Sequence, residues 1–312
     1  MFNFEPENLV DEWGQESDTS AFAGRNESPQ MLQTETKRIA LKRPVETHVV
    51  RTMPKSRFII PLVLQFLMAW LSCIHCTCPT DFIEVSYEIC MLVLKLQGNY
   101  CQAHERCEAE GRARGLRLFL PGRNAALICT VAPAQSLVYT GVSAFLNRST
   151  NLREGWRYSD PGWAWYSTTA NDKDVPWDAG CPNELHGSIM SILDYHIRDD
   201  FQLLGTTTHA VCELSSIIDT GLGEQFKKDW PYPMSSLFFP CHDAIGCFTF
   251  STENTLLRCG YGCKLRSACR SFYFNTATGQ CGLSLYVDSL LPSNMSILRN
   301  AVNWVRFGRP DA

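Results

Sequence analysis

The sequence predicts an α+β protein, with two small disulfide-stapled modules behind an N-terminal stretch that does not fold. Three observations carry this expectation. Fifteen cysteines lie between Cys73 and Cys281, with none in the first 72 residues; a cytosolic protein would rarely keep so many thiols without metal or redox chemistry. Hydrophobic residues make up 45% of the 312 positions, which is globular composition. The length suits two ordinary domains of about 100 to 150 residues plus tails.

Charge narrows the function classes. Charged residues are 19% and the formal net charge is -4, so no basic excess exists to hold a phosphate backbone, and nucleic acid is not an expected partner. Composition also excludes a fibre, a multi-pass membrane protein and a wholly disordered chain.

Residues 1–57 begin acidic (Glu5, Glu7, Asp11, Glu12, Glu16, Asp18) and turn basic (Lys37, Arg38, Lys42, Arg43, Arg51, Lys55, Arg57). With little apolar periodicity they cannot offset their ordering entropy, and a disordered tail is expected. An uncharged run, Phe58 to Leu71, follows and reaches a marginal span if extended to Ile74. Two readings stay open for 58–74. One is an uncleaved signal anchor that leaves the basic stretch in the cytoplasm, as in a single-pass type II membrane protein. The other starts translation at Met53, with a cleaved signal peptide ending near Cys76–Cys78 and residues 1–52 a gene-model artefact. The short length and Pro61 fit the second, secreted form better, and both put the cysteine-rich part outside the cell. The sequons at Asn147 and Asn294 are the glycosylation sites consistent with that placement.

The first module is expected over 78–214. Cys78 and Cys90 are twelve apart, which suits a hairpin closed by a disulfide. Tyr100, Ala103 and Cys107 fall at i, i+3 and i+7 of a helix running to Gly111. A second helix is expected over Arg123 to Val131, then a strand over Leu137 to Val142 and a last strand from His209 to Glu213. Between the strands lies a long stretch rich in Trp, Gly and Asp, from Trp156 to Trp177, and structureless loops of that length are usually functional.

In order and spacing, Cys78-Pro79, Cys90, Tyr100/Ala103/Cys107/Gly111, Tyr139-Thr140-Gly141-Val142, Trp156-Arg157-Tyr158-Ser159-Asp160 and Val211-Cys212-Glu213 resemble the long form of the C-type lectin-like domain. The resemblance implies bridges Cys78–Cys90 and Cys107–Cys212. It also implies that sugar, where bound, is held through Ca²⁺, which takes six to eight oxygen ligands and shares them with vicinal hydroxyls. The family's Glu-Pro-Asn or Gln-Pro-Asp loop is here Cys181-Pro182-Asn183-Glu184. A sulfur there is a poor partner for a hard cation. The family's Trp-Asn-Asp triplet is absent, and Ile197-Arg198-Asp199-Asp200 stands in its place. The ligand set left for Ca²⁺ is Asn183, Glu184, Asp199 and Asp200. Trp163, Trp165 and Tyr166 are the candidates for stacking on a sugar ring, together with Asn183 and Glu184 as its polar contacts. Of Trp156, Trp163, Trp165 and Trp177, the resemblance implies that at least two are core or loop-packing residues. His186, His196 and His209 have no metal-ligand spacing.

A linker is expected over 215–236, marked by Gly221, Gly223, Lys227-Lys228, Pro231 and Pro233. Six cysteines follow in about forty residues: Cys241, Cys247, Cys259, Cys263, Cys269 and Cys281. Cys259 and Cys263 are one helical turn apart and can staple a helix to a sheet. Phe272-Tyr273-Phe274, the turn Thr278-Gly279 and Cys281-Gly282-Leu283-Ser284 alternate as a hairpin. This spacing resembles a PAN/apple domain, placed at 237–308, and implies bridges Cys259–Cys281 and Cys263–Cys269. Cys241–Cys247 is the expected third bridge. Such modules bind proteins or glycans. A zinc site is the competing reading of clustered cysteines, but the paired CxxC knuckles are missing.

With Cys73 and Cys76 counted only if the apolar segment is retained, Cys101, Cys129 and Cys181 are then left over, and an odd remainder leaves one thiol free or joined to a second chain in a covalent dimer. The sequence carries no HExxH, no Gly-x-Ser-x-Gly, no phosphate loop and no Rossmann fingerprint, so no enzyme is expected. The expected function is extracellular recognition of a glycan through a degenerate calcium loop. Calcium-independent adhesion to cell-surface or matrix proteins is the alternative.

Overall fold

A computed structural model describes residues 78–310 apart from 147–148, 164, 204, 218–224, 235, 240–244 and 298–300. The tail 1–57, the apolar segment 58–74, Asn147 and Cys241 therefore lie outside the described residues. Asn294 is exposed, in a short 3-10 turn, Ser293–Ile297. No helix among the described residues is long and apolar enough to cross a membrane.

The first half opens on the hairpin β1 (Ile83–Ser86) and β2 (Ile89–Gly98), tied at its base by Cys78–Cys90. Asn99 then caps α1 (Tyr100–Arg114): its side chain accepts from the Gln102 N–H while the Gln102 side chain accepts from the Asn99 N–H. That reciprocal box satisfies two donors a helix start otherwise leaves open. Gly115, at φ 66°, ends the helix in the left-handed region where a side chain would be strained. The buried face of α1 is Tyr100, Ala103, His104, Cys107 and Gly111, and Cys107–Cys212 bolts it to β8 (Thr207–Leu214).

One sheet has the order β1-β2-β8-β3, with β3 at Leu118–Phe119, so β8, the last strand of this half, lies between β2 and β3. A second sheet, β5-β4-β6-β7, is built from β4 (Leu137–Ser143), β5 (Arg157–Tyr158), β6 (Ile189–Leu193) and β7 (His196–Asp200). The expected helix over 123–131 is a 3-10 turn, Ala125–Thr130, burying Ala125 and Ile128. Those two are three apart and eclipse each other at three residues per turn. Thr130 and Val131 are β-branched, which weakens the α-helical alternative.

The second half is a five-stranded antiparallel sheet, β10-β12-β11-β13-β9. It comprises β10 (Phe248–Thr252), β11 (Cys269–Asn275), β12 (Gln280–Leu285) and β13 (Trp304–Gly308), with α2 (Leu256–Lys264) packed on β11 and β12. Cys259–Cys281 and Cys263–Cys269 staple α2 to those two strands. The stretch expected as linker contributes structure: β9 (Lys227–Lys228) pairs with β13, and Phe226 is buried edge-on against Phe272.

The two halves share one core. A single apolar cluster runs from Tyr100, Cys107, Tyr139 and Phe145 of the first half into Phe239, Phe272, Leu285 and Tyr286 of the second. The described residues accordingly form one compact unit. The expected Cys241–Cys247 bridge is corrected here: Cys247 pairs with Cys101 of α1, across 146 residues. Gln202 reinforces the same junction, donating to the Gly246 carbonyl (2.8 Å) and accepting from the Ile245 and Gly246 N–H groups (3.0 Å each). Spacing along the chain favoured the near partner; packing brought the far one to 5.5 Å between Cα atoms. Among the described residues Cys129 and Cys181 remain free, both half-buried.

Candidate functional site: an aromatic platform beside the Cys181–Asp199 loop

Among its described residues, the long segment between β5 and β6 (159–188) carries no helix or strand. Hydrogen bonds hold it. Ser159 Oγ donates to the Leu120 carbonyl, the Trp156 N–H donates to Thr168 Oγ1 (2.9 Å), and Trp156 Nε1 donates to the Leu152 carbonyl (2.7 Å). Trp156 is 1% exposed and packs edge-on against Trp177 (centroids 4.8 Å), so these two belong to the packing of the first half.

Trp163, Trp165 and Tyr166 come together. Trp163 and Trp165 stack at 5.4 Å, Tyr166 lies edge-on to both, and Tyr166 stacks on Tyr158 at 4.8 Å. The Tyr166 hydroxyl donates to Asp174 (2.7 Å), which anchors the ring. Arg123 places its guanidinium 3.6 Å from the Trp163 centroid, a cation–π contact. With Trp163 and Tyr166 half-buried against neighbours, Trp165, at 60% exposure, is the ring open to solvent. Arg123 is the participant that sequence reasoning missed: a single charge before an apolar turn carries no pattern.

The four expected calcium ligands do not assemble a cation site. Asp199 is 5% exposed, and its carboxylate already accepts the N–H groups of Asn183 (3.0 and 3.2 Å) and Glu184 (2.7 Å). It pins the loop around the cis Cys181–Pro182 bond and has little lone-pair capacity left. Asp200, next along β7, faces the other side and takes up Ser191 Oγ (3.1 Å) and the Phe201 N–H (2.8 Å). Asn183 and Glu184 have exposed side chains, and Cys181 is a free thiol whose pKa is raised by burial and then by the charges of Asp199 and Asp178. Among the described residues no three His, Cys, Asp or Glu groups are placed to hold a metal. The residues present do not fit Ca²⁺.

Beneath the platform lies a buried carboxylate pair. The Arg123 N–H donates to Asp160 (3.1 Å), whose carboxyl burial lifts to about 6. Asn124 donates to Glu213 Oε1 (2.7 Å), while Oε2 has no partner. Burial first, then the nearby Asp160 charge, pushes Glu213 from 4.5 to about 7. The folded state thus keeps a proton that the unfolded chain has released, so this group's contribution is whole below pH 4.5 and is lost as pH rises through about 7. Glu213→Gln is expected to be more stable than the parent at pH 8 by on the order of 1–3 kcal/mol, with the difference gone at pH 4.5. Urea midpoints across that range check it; a difference independent of pH contradicts the assignment.

No protein-family model matches the chain, and no curated protein matches it. Solved structures similar to part of it are C-type lectin-like domains. The C-type lectin CEL-I from Cucumaria echinata has 14% identity and a TM-score of 0.33, covering 45% of this chain and 98% of that one. The C-type lectin domain of murine dendritic cell inhibitory receptor 2, in complex with N-glycan, has 18% identity and a TM-score of 0.32, covering 44% and 98%. A calcium-independent type II antifreeze protein has 17% identity and a TM-score of 0.31, covering 45% and 96%.

Proposed function

We propose that this chain is an extracellular recognition protein that binds carbohydrate through the Trp163–Trp165–Tyr166 platform, without calcium. The observation that carries this reading is Trp165, a large ring left open to solvent beside two rings already held by Arg123 and Asp174. A pre-set aromatic face suits the apolar C–H patches of a sugar ring and loses little entropy on binding. The exposed Asn183 and Glu184 side chains supply polar edges, while Asp199 serves the loop's shape. The five disulfides are typical of extracellular proteins, and secretion is part of the proposal. The second half, read as PAN/apple-like, adds protein or glycan contacts. A glycan array probed with the oxidised full chain in Ca²⁺ and again in EDTA tests this. Binding is expected in both, and Trp165→Ala should weaken it about tenfold or more, about 1.4 kcal/mol. Binding that needs Ca²⁺, or that survives Trp165→Ala, overturns the site.

Adhesion to a protein partner is the second reading. Leu257, Tyr261 and Leu265 repeat every four residues along α2 and just past its end, and are 52%, 47% and 69% exposed. A stripe of that kind on a soluble surface suits a protein contact, and silence on the array in both conditions would favour it.

A further inference from the structure

A cavity of about 260 Å³ lies where α1 meets the second half, walled by Leu116 and Arg117 on one side and by Ser267, Ala268 and Arg270 on the other. His104 and Tyr286 also line it, ring on ring at 5.1 Å. This is a different place from the aromatic platform.

Two of its buried donors are unused. Arg270 is 6% exposed, donates Nε to the Tyr286 carbonyl (2.9 Å) and Nη2 to the Ser159 carbonyl, and has no partner for Nη1. His104 is 2% exposed and has no partner for Nε2. The nearby carboxylates are engaged elsewhere. Glu108 is taken by Arg266 (3.2 Å), Arg112 (3.0 Å) and the Tyr286 hydroxyl (2.6 Å), and Asp288 is taken by Arg306. Asp160 accepts the Arg123 backbone N–H and, like Asp288, attracts Arg270 through space, but neither bonds its Nη1. Burial and then repulsion from Arg117 and Arg309 bring Arg270 down to about 9, and burial followed by the Arg270 charge brings His104 down to about 3. A buried cation that repels its neighbours and keeps an unused donor is costly unless an anion joins it. Protein interiors seldom leave such groups unmatched without a water or ion. The volume falls just under the ~300–1,000 Å³ usual for drug-sized ligands, which suits one ring, and the apolar wall of Leu116 and Ala268 suits its carbon face.

We propose that this cleft binds a ring-sized organic acid, such as an acidic monosaccharide, with its carboxylate or sulfate held by Arg270 and Arg117. His104, neutral, offers Nε2–H as a further donor. The anion completes the junction between the two halves.

Calorimetric titration of the full chain with glucuronate, glucose 6-sulfate, glucose and inorganic sulfate tests it. At least one ring acid should bind tenfold or more tighter than both glucose and inorganic sulfate; whichever does identifies the head group. Arg270 supports the fold through two carbonyls, so the decisive variants sit at the cavity's rim. Ser267→Glu, at an exposed lining position, brings in a repelling carboxylate, and Arg117→Gln removes a charge. Each should weaken the acid at least tenfold with an unchanged circular dichroism spectrum. The proposal is overturned if neither acid exceeds glucose, if inorganic sulfate binds as well as the ring acids, or if both folded variants bind like the parent.

Discussion

The Cys101→Ser/Cys247→Ser double variant is expected to lose about 4 kcal/mol of stability and still to unfold in a single step. The bridge spans 146 residues, which alone would set a larger figure in the chain-entropy account. The Cys107–Cys212 bridge already closes most of that loop. The path left for Cys101–Cys247 to close is roughly forty residues, and the entropy it removes from the unfolded chain shrinks accordingly. One transition is expected because the apolar cluster through Phe145, Phe239 and Phe272 crosses the junction. Urea denaturation followed by far-ultraviolet dichroism and by tryptophan fluorescence decides this. Two separated transitions would mean that the bridge, rather than the core, makes the halves cooperative.

Asp288→Asn is expected to cost about 3–5 kcal/mol. Arg306 is completely buried, and its Nη2 reaches both Asp288 oxygens at 2.6 and 2.5 Å. Its Nε donates to the Tyr273 hydroxyl (3.0 Å) and its Nη1 to the Trp230 carbonyl. Taking away the carboxylate charge leaves a guanidinium inside the second half with only neutral acceptors. Arg306→Met combined with Asp288→Leu should cost less than Asp288→Asn alone, since the Arg306 charge is then no longer buried without its partner. Thermal melts of the three proteins check both statements, and a double variant worse than the single one refutes them.

Local pattern made part of this legible. The hairpin at Cys78–Cys90, the start of α1 at Tyr100 and the strands around 137–142 and 209–213 follow from cysteine spacing and periodicity, and they stand close to those places. The pairing of Cys101 with Cys247 left no local trace, because it depends on how α1 packs against residues far along the chain. β9 is two residues long, too short for any alternation to register, and its sequence reads as an exposed basic pair. The role of Asp199 was hidden for another reason. A carboxylate that caps two backbone N–H groups and one that ligates a cation look alike in sequence; only the hydrogen bonds to Asn183 and Glu184 tell them apart. The cavity lined by His104 and Arg270 joins residues 166 positions apart, and no motif spans that distance.

The bridge between α1 and the second half also sets how the molecule answers a pull. Under tension from both ends the load passes through the Cys101–Cys247 bond, and the intervening 146 residues cannot be drawn out. At about 3.3–3.6 Å per extended residue, roughly 500 Å of chain stays out of reach while that bond holds, and Cys107–Cys212 keeps most of it closed even when Cys101–Cys247 is reduced. The first half from α1 onward, with the aromatic platform, lies inside this covalent bypass, while β1 and β2 lie outside it, so in a tethered molecule under load the platform's own chain cannot be drawn out while chain outside the bypass pays out.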